Sequence, residues 1–76
     1  MKDTKYRDMV KEVVMIRKDL GYTVTQMAEL TQSTRQNIYY FENLDRVSYK
    51  TLFKYMNILF TPMEMGNFIT KWARGD

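Results

Sequence analysis

Arg35, Gln36 and Asn37 stand in a row, and each ends in a planar group built for paired hydrogen bonds. A guanidinium presents parallel N–H donors that fit the O6 and N7 acceptors of guanine. A carboxamide offers one donor and one acceptor, which fit N7 and N6 of adenine. Tyr40 follows about a turn and a half later, with a ring that can pack on a thymine methyl and a hydroxyl that can bond a phosphate. Any surface helix carries polar residues as a solvated face, so the run gains meaning only from what holds it. The chemistry of catalysis is missing. With no histidine and no cysteine, the chain lacks the usual general base, the commonest metal ligand and the thiolate nucleophile. Glu12, Glu29, Glu42 and Glu64 are scattered, and no nucleophile–base pair or glycine-rich phosphate loop appears. The reading is therefore no enzyme, no metal and no cofactor.

The elements that must position these residues are helical. A chain of 76 residues buries only about 60% of its unfolded surface, so one small core is all it can build. A hydrophobic share of 45% is ample for that, and three glycines with one proline argue against disorder and against a loop-rich β fold. Tyr6, Met9, Val10, Val13, Ile16 and Leu20 recur at intervals of three and four, which predicts an amphipathic helix over Lys5 to Leu20. Asp3 or Thr4 would cap it, and Gly21 would stop it. Thr23 or Thr25 caps a short second helix carrying Met27, Ala28 and Leu30. The polar run Thr31-Gln32-Ser33-Thr34 reads as a tight turn, and Thr34 caps a third helix from about Arg35 to Asn43 with Ile38 and Phe41 inward. Ser48 caps a fourth, with Leu52, Tyr55, Met56 and Leu59 inward. Thr61 and Pro62 start a fifth at about 62–73, with Met65, Phe68, Ile69 and Trp72 on one stripe. The expected fold is all-α, five helices in a single domain spanning 1–76, with a helix-turn-helix at about 23–43.

The segment from Thr23 to Glu42 resembles the lambda-repressor-like group, the Cro/C1 or Xre-type DNA-binding domains. That motif runs hydrophobic-Ala, a turn glycine four positions on, Ser/Thr, Ile, then Ile/Leu-Glu. Here it reads Met27-Ala28, Gln32, Thr34, Ile38 and Phe41-Glu42, without a gap. Upstream, Arg17 to Gly21 is similar to the family's R-x-x-L-G, and the likeness extends from about Val13 to Leu59. Gln32 stands in place of the turn glycine and Ser33 in place of an apolar residue. Val24 stands where a phosphate-holding glutamine is frequent.

The resemblance implies roles. It pairs Arg17 with Glu42 in an ion pair tying helix one to the end of helix three. It sends the first turn of helix three into the major groove, so Arg35, Gln36, Asn37 and Tyr40 are the candidate base contacts. Asn43 and Arg46 fall where the family touches the sugar-phosphate backbone, with Lys50 and Lys54 able to extend that footprint. Thr23, Thr25, Gln26 and Thr34, at helix starts, are further backbone candidates. The implied partner is double-stranded DNA, bound by a small sequence-specific regulator or repressor.

Charge bears on how such a protein binds. The net charge of +3 permits a polyanion without demanding one. Between Thr23 and Val47, Arg35 and Arg46 face Glu29, Glu42 and Asp45, a lean footprint for DNA. Either a homodimer doubles the contacts on a palindromic operator, or another protein is the partner, as for an antirepressor or antitoxin on the same fold. The family's fifth helix often forms a dimer surface, which here points to Phe60, Met63, Phe68, Ile69 and Trp72. No stretch is long and apolar enough for a membrane span, nothing resembles a secretory signal, and cytoplasmic is the default location.

Overall fold

The computed structural model describes residues 4–73. They form five α-helices and no strand: α1 (Thr4–Asp19), α2 (Val24–Leu30), α3 (Arg35–Glu42), α4 (Tyr49–Leu59) and α5 (Pro62–Ala73). Thr4 is the first helical residue of α1 rather than its cap, and Asp3 lies outside the described residues. The other starts follow the side-chain chemistry of capping, in which a short oxygen takes an N–H that the helix cannot satisfy. Thr23 accepts from the Gln26 N–H at 3.0 Å, and the Gln26 Oε1 accepts from the Thr23 N–H at 2.8 Å. Thr61 and Glu64 form the same reciprocal box ahead of α5. Thr34 and Ser48 each accept one backbone N–H, at 3.1 Å.

Helices this short gain little from propensity and are held by packing. Tyr6, Val10 and Val13 of α1, Met27 and Ala28 of α2, Ile38 and Phe41 of α3, Leu52, Tyr55, Met56 and Leu59 of α4, and Phe68 of α5 form one buried cluster. α2 packs on α3, α1 on both α3 and α4, and α5 on α4. The Tyr6 hydroxyl accepts from the Ser48 N–H at 2.8 Å and so ties α1 to the start of α4.

Two apolar residues on the expected helical faces are exposed instead: Leu20 at 57% and Leu30 at 52%. In each case a polar residue has the inner position. Arg17 is buried in the last turn of α1, while Leu20, whose N–H still bonds the Ile16 carbonyl at 2.9 Å, stays exposed. At the end of α2 the buried residue is Thr31, whose hydroxyl donates to the Met27 carbonyl at 2.7 Å and so enters the core satisfied.

Three helix ends close in the same way. After α1, the Gly21 N–H donates to the Lys18 carbonyl and the Tyr22 N–H to that of Arg17. After α2, Gln32 donates to Glu29 and Ser33 to Ala28; after α3, Leu44 donates to Phe41 and Asp45 to Tyr40. Each is a Schellman motif, which needs one residue in the left-handed region. Gly21 supplies it at φ 89°, but Gln32 and Leu44 are side-chain-bearing residues at φ 58° and 65°. The left-handed conformation costs an L-residue about 1–2 kcal/mol, and glycine gives back part of that through its unfolded-state entropy. Gln32, exposed at the turn, is therefore a site where Gln32→Gly is expected to stabilise the fold by about 0.5–1 kcal/mol. Leu44→Gly is expected to destabilise it, because that side chain packs against the core. Urea denaturation of the two variants checks both signs.

Candidate nucleic-acid interface

The face of interest is built on α3, eight residues long. Ile38 and Phe41 are buried against α1, α2 and α4, and that choice of face turns the first turn outward. Arg35, Gln36 and Asn37 are all exposed, and Tyr40 is partly so. The helix starts at the Thr34 cap, whose side chain takes the Asn37 N–H of the first turn.

The far end of α3 is clamped. The Arg17 Nε and Nη2 donate to the two carboxylate oxygens of Glu42 at 2.7 and 2.9 Å, and Nη1 donates to the Tyr22 carbonyl at 2.7 Å. Both side chains are less than a tenth exposed. The Tyr55 hydroxyl of α4 donates to Glu42 Oε2 at 2.5 Å. One carboxylate thus takes hydrogen bonds from α1 and α4, and one guanidinium also holds the link into α2. Removing one partner of such a buried pair strands a charge and costs about 3–5 kcal/mol.

The other side chains named from the sequence are placed as follows. Thr23 and Gln26 cap each other at the start of α2, and Thr25 is exposed beside them. Asn43 is the C-cap of α3, its N–H on the Tyr39 carbonyl at 2.9 Å and its side chain exposed. Arg46, in the loop before α4, lays its guanidinium 4.6 Å from the centre of the Tyr40 ring. Gln36 Nε2 donates to the Tyr40 hydroxyl at 2.8 Å. A cleft of about 310 Å³ lined by Ser33, Asn37, Phe41, Arg46, Val47, Ser48 and Thr51 separates α3 from the start of α4. Lys50 is exposed, but the Lys54 Nζ donates to the Thr31 carbonyl at 2.8 Å and serves the end of α2.

The charge balance of this face differs from that of the linear sequence. Glu42 is buried on Arg17, so Arg35 and Arg46 face only Glu29 and Asp45 among exposed charges between Thr23 and Val47. Reading the sequence alone also left out Tyr55 as a ligand of Glu42. The signal was its type: a tyrosine at an inward position brings a hydroxyl that must find a partner.

A second helix set across a first, with an exposed and polar leading turn, defines a helix-turn-helix domain of the DNA-binding kind. The family described as Helix-turn-helix matches residues 14–65, and the chain belongs to it, as a lambda-repressor-like domain of the Cro/C1 type. It is thereby a DNA-binding regulator in general character. No curated protein and no solved structure matches the chain. Among the described residues, no helix is long and apolar enough to cross a membrane, and no cluster of acidic residues could hold a metal ion.

Burial, and then the bond to the Glu42 carboxylate, push the Tyr55 hydroxyl well above the ordinary tyrosine range. A raised pKa contributes stability that is intact below the unfolded value, about 10, and is lost as pH climbs toward the folded one. Tyr55→Phe is expected to cost about 1.5–3 kcal/mol at neutral pH through the lost charge-assisted bond. Above about pH 10 the wild type is expected to lose stability at up to about 1.4 kcal/mol per pH unit more steeply than the variant. Denaturation curves at pH 7 and from pH 9 to 11 check both.

Proposed function

We propose that the chain is a sequence-specific transcriptional regulator of the small, Cro-like repressor kind, which sets the first turn of α3 in the major groove of an operator. The observation that carries this reading is the joint exposure of Arg35, Gln36 and Asn37 on a helix whose opposite face is fixed by Ile38, Phe41 and the Arg17–Glu42 pair. Arg35 reads a guanine, and Gln36 and Asn37 read adenines. Thr23, Thr25, Gln26, Thr34, Asn43 and Arg46 serve the sugar-phosphate backbone, with Thr23, Gln26 and Thr34 doing so from within their caps. Arg46 lies over the Tyr40 ring and offers a phosphate the guanidinium N–H groups that this contact does not use.

The same reading includes a homodimer on a palindromic operator, with the two α3 helices about 34 Å apart. Its support is the small number of cations on one copy's face, which a second copy doubles. The surface on α5 is narrower than the sequence implied. Phe68 is buried, with Phe60 and Trp72 packed against it at 5.1 and 6.2 Å between ring centres, so these three complete the monomer core. Met63, at 77% exposure, and Ile69 remain outward, and six residues of helix place them about 120° apart rather than on one stripe. The exposed rings of Tyr39, Tyr49 and Phe53 favour the alternative of a protein partner, and salt-dependent DNA binding decides between the two.

Arg35→Ala is expected to weaken specific binding by about 1–3 kcal/mol and to relax preference at one base pair. Arg46→Ala is expected to weaken binding to every sequence and to lower the salt slope by about 1. Titrations of operator and scrambled duplexes at several salt concentrations measure both. Sedimentation at micromolar concentration is expected to give a dimer. A monomer, both free and on a single half-site, contradicts that part and moves weight to the protein partner.

A further inference from the structure

We propose that Tyr40 is a positioning residue that sets the orientation of the Gln36 carboxamide and thereby makes Gln36 a reader of adenine; this rests on the DNA-binding reading above. Gln36 and Tyr40 are four residues apart on the outward side of α3, and the amide nitrogen donates to the phenol oxygen at 2.8 Å. A glutamine on a solvated helical turn has a broad, two-fold terminal torsion. Turned one way it shows a carbonyl oxygen with one N–H beside it; turned the other, the two ends exchange places. With the phenol oxygen accepting one amide N–H, one of the two orientations is chosen. What Gln36 then has left is one N–H and Oε1, side by side in one plane. Adenine presents N7 as acceptor and N6 as donor, which matches that pair. Guanine presents N7 and O6, both acceptors, and sets O6 against Oε1.

The phenol is a fit anchor because it is itself held. Arg46 lies over its ring at 4.6 Å, and the Arg46 N–H donates to the Tyr40 carbonyl at 3.4 Å. The ring is only partly exposed. Arg46, Tyr40 and Gln36 therefore form a chain from the loop after α3 back to its first turn. A phosphate bound by the remaining Arg46 N–H groups holds the guanidinium over the ring, so the backbone contact and the base contact reinforce one another. The reverse hydrogen bond, with the phenol donating to Oε1, would present two amide N–H groups and favour guanine, so the selected base distinguishes the two arrangements.

The experiment is selection of bound duplexes from a random pool with the wild type, Tyr40→Phe, Gln36→Ala and the double variant, each first checked for an unchanged thermal melt. Tyr40→Phe keeps the ring and the Arg46 stack and removes only the hydroxyl. The wild type is expected to select adenine at one position of each half-site. Tyr40→Phe is expected to lose about tenfold of the preference at that position and none elsewhere. Gln36→Ala is expected to abolish it at the same position, with the double variant no worse than Gln36→Ala alone. Unchanged preference in Tyr40→Phe, guanine in place of adenine, or a loss at a different base pair overturns the proposal while leaving the DNA-binding reading standing. A wild type that enriches no sequence overturns both.

Discussion

The Arg17 guanidinium sits where α1, the α1–α2 link, the end of α3 and α4 converge, and its hydrogen bonds decide how α3 is presented. α3 has eight residues, too few to persist without support. Ile38 and Phe41 give it burial but leave it free to rock about its own axis, because apolar contact is not directional. The Arg17–Glu42 fork is directional. It fixes the end of the helix in two parallel bonds, and the Tyr55 hydroxyl adds a third from α4. The net contribution of such a pair to stability is small, since both charges leave water. Its effect is on geometry: whatever the first turn of α3 does depends on where this carboxylate is held.

The closures of the helices belong to the same constraint. The Tyr22 N–H completes the Schellman motif of α1, and the Tyr22 carbonyl takes Arg17 Nη1, so the turn into α2 is held from both sides of one residue. Between α2 and α3, Gln32 accepts a left-handed conformation that a glycine would hold at lower cost, and the Lys54 ammonium helps by taking the Thr31 carbonyl. Leu44 does the same after α3, where its side chain offsets the strain by packing on the core. The two strained turns flank α3 on either side and set the angle at which it leaves the body of the domain.

Much of this was legible from residue order. Periodicity located all five helices, and the caps Thr34, Ser48 and Thr61 follow from side-chain chemistry alone, whereas Thr23 and Thr25 stayed alternatives until the fold put Thr23 at the cap and Thr25 inside α2. The core was legible at most of its apolar positions. Arg17 and Thr31 take inner positions through specific partners, one 25 residues away; the family resemblance implied the Arg17–Glu42 pair, but no count of apolar spacing identifies either position. Leu20 and Leu30 fall on apolar spacings yet lie exposed for the converse reason. The candidate site was legible as a set of residue types, because Arg35, Gln36 and Asn37 are consecutive. Its internal order was not. The Gln36–Tyr40 bond and the Arg46 stack depend on rotamers and on the path of the loop at 43–48, which only the folded chain defines.

The account makes the outward side of α3, the capped start of α2 and the loop before α4 one working surface, and leaves the α1 and α5 side apart from it. Phosphate attraction acts on any duplex, so this division can be tested before an operator is known. The measurement is a map of backbone amide shifts in a nitrogen-15-labelled sample titrated with mixed-sequence duplex DNA at low salt. The account predicts perturbations concentrated at 23–26, 34–40 and 43–50, fading as salt is raised. Perturbations centred on Met15, Met63, Ile69 and Trp72 with α3 unchanged would contradict it.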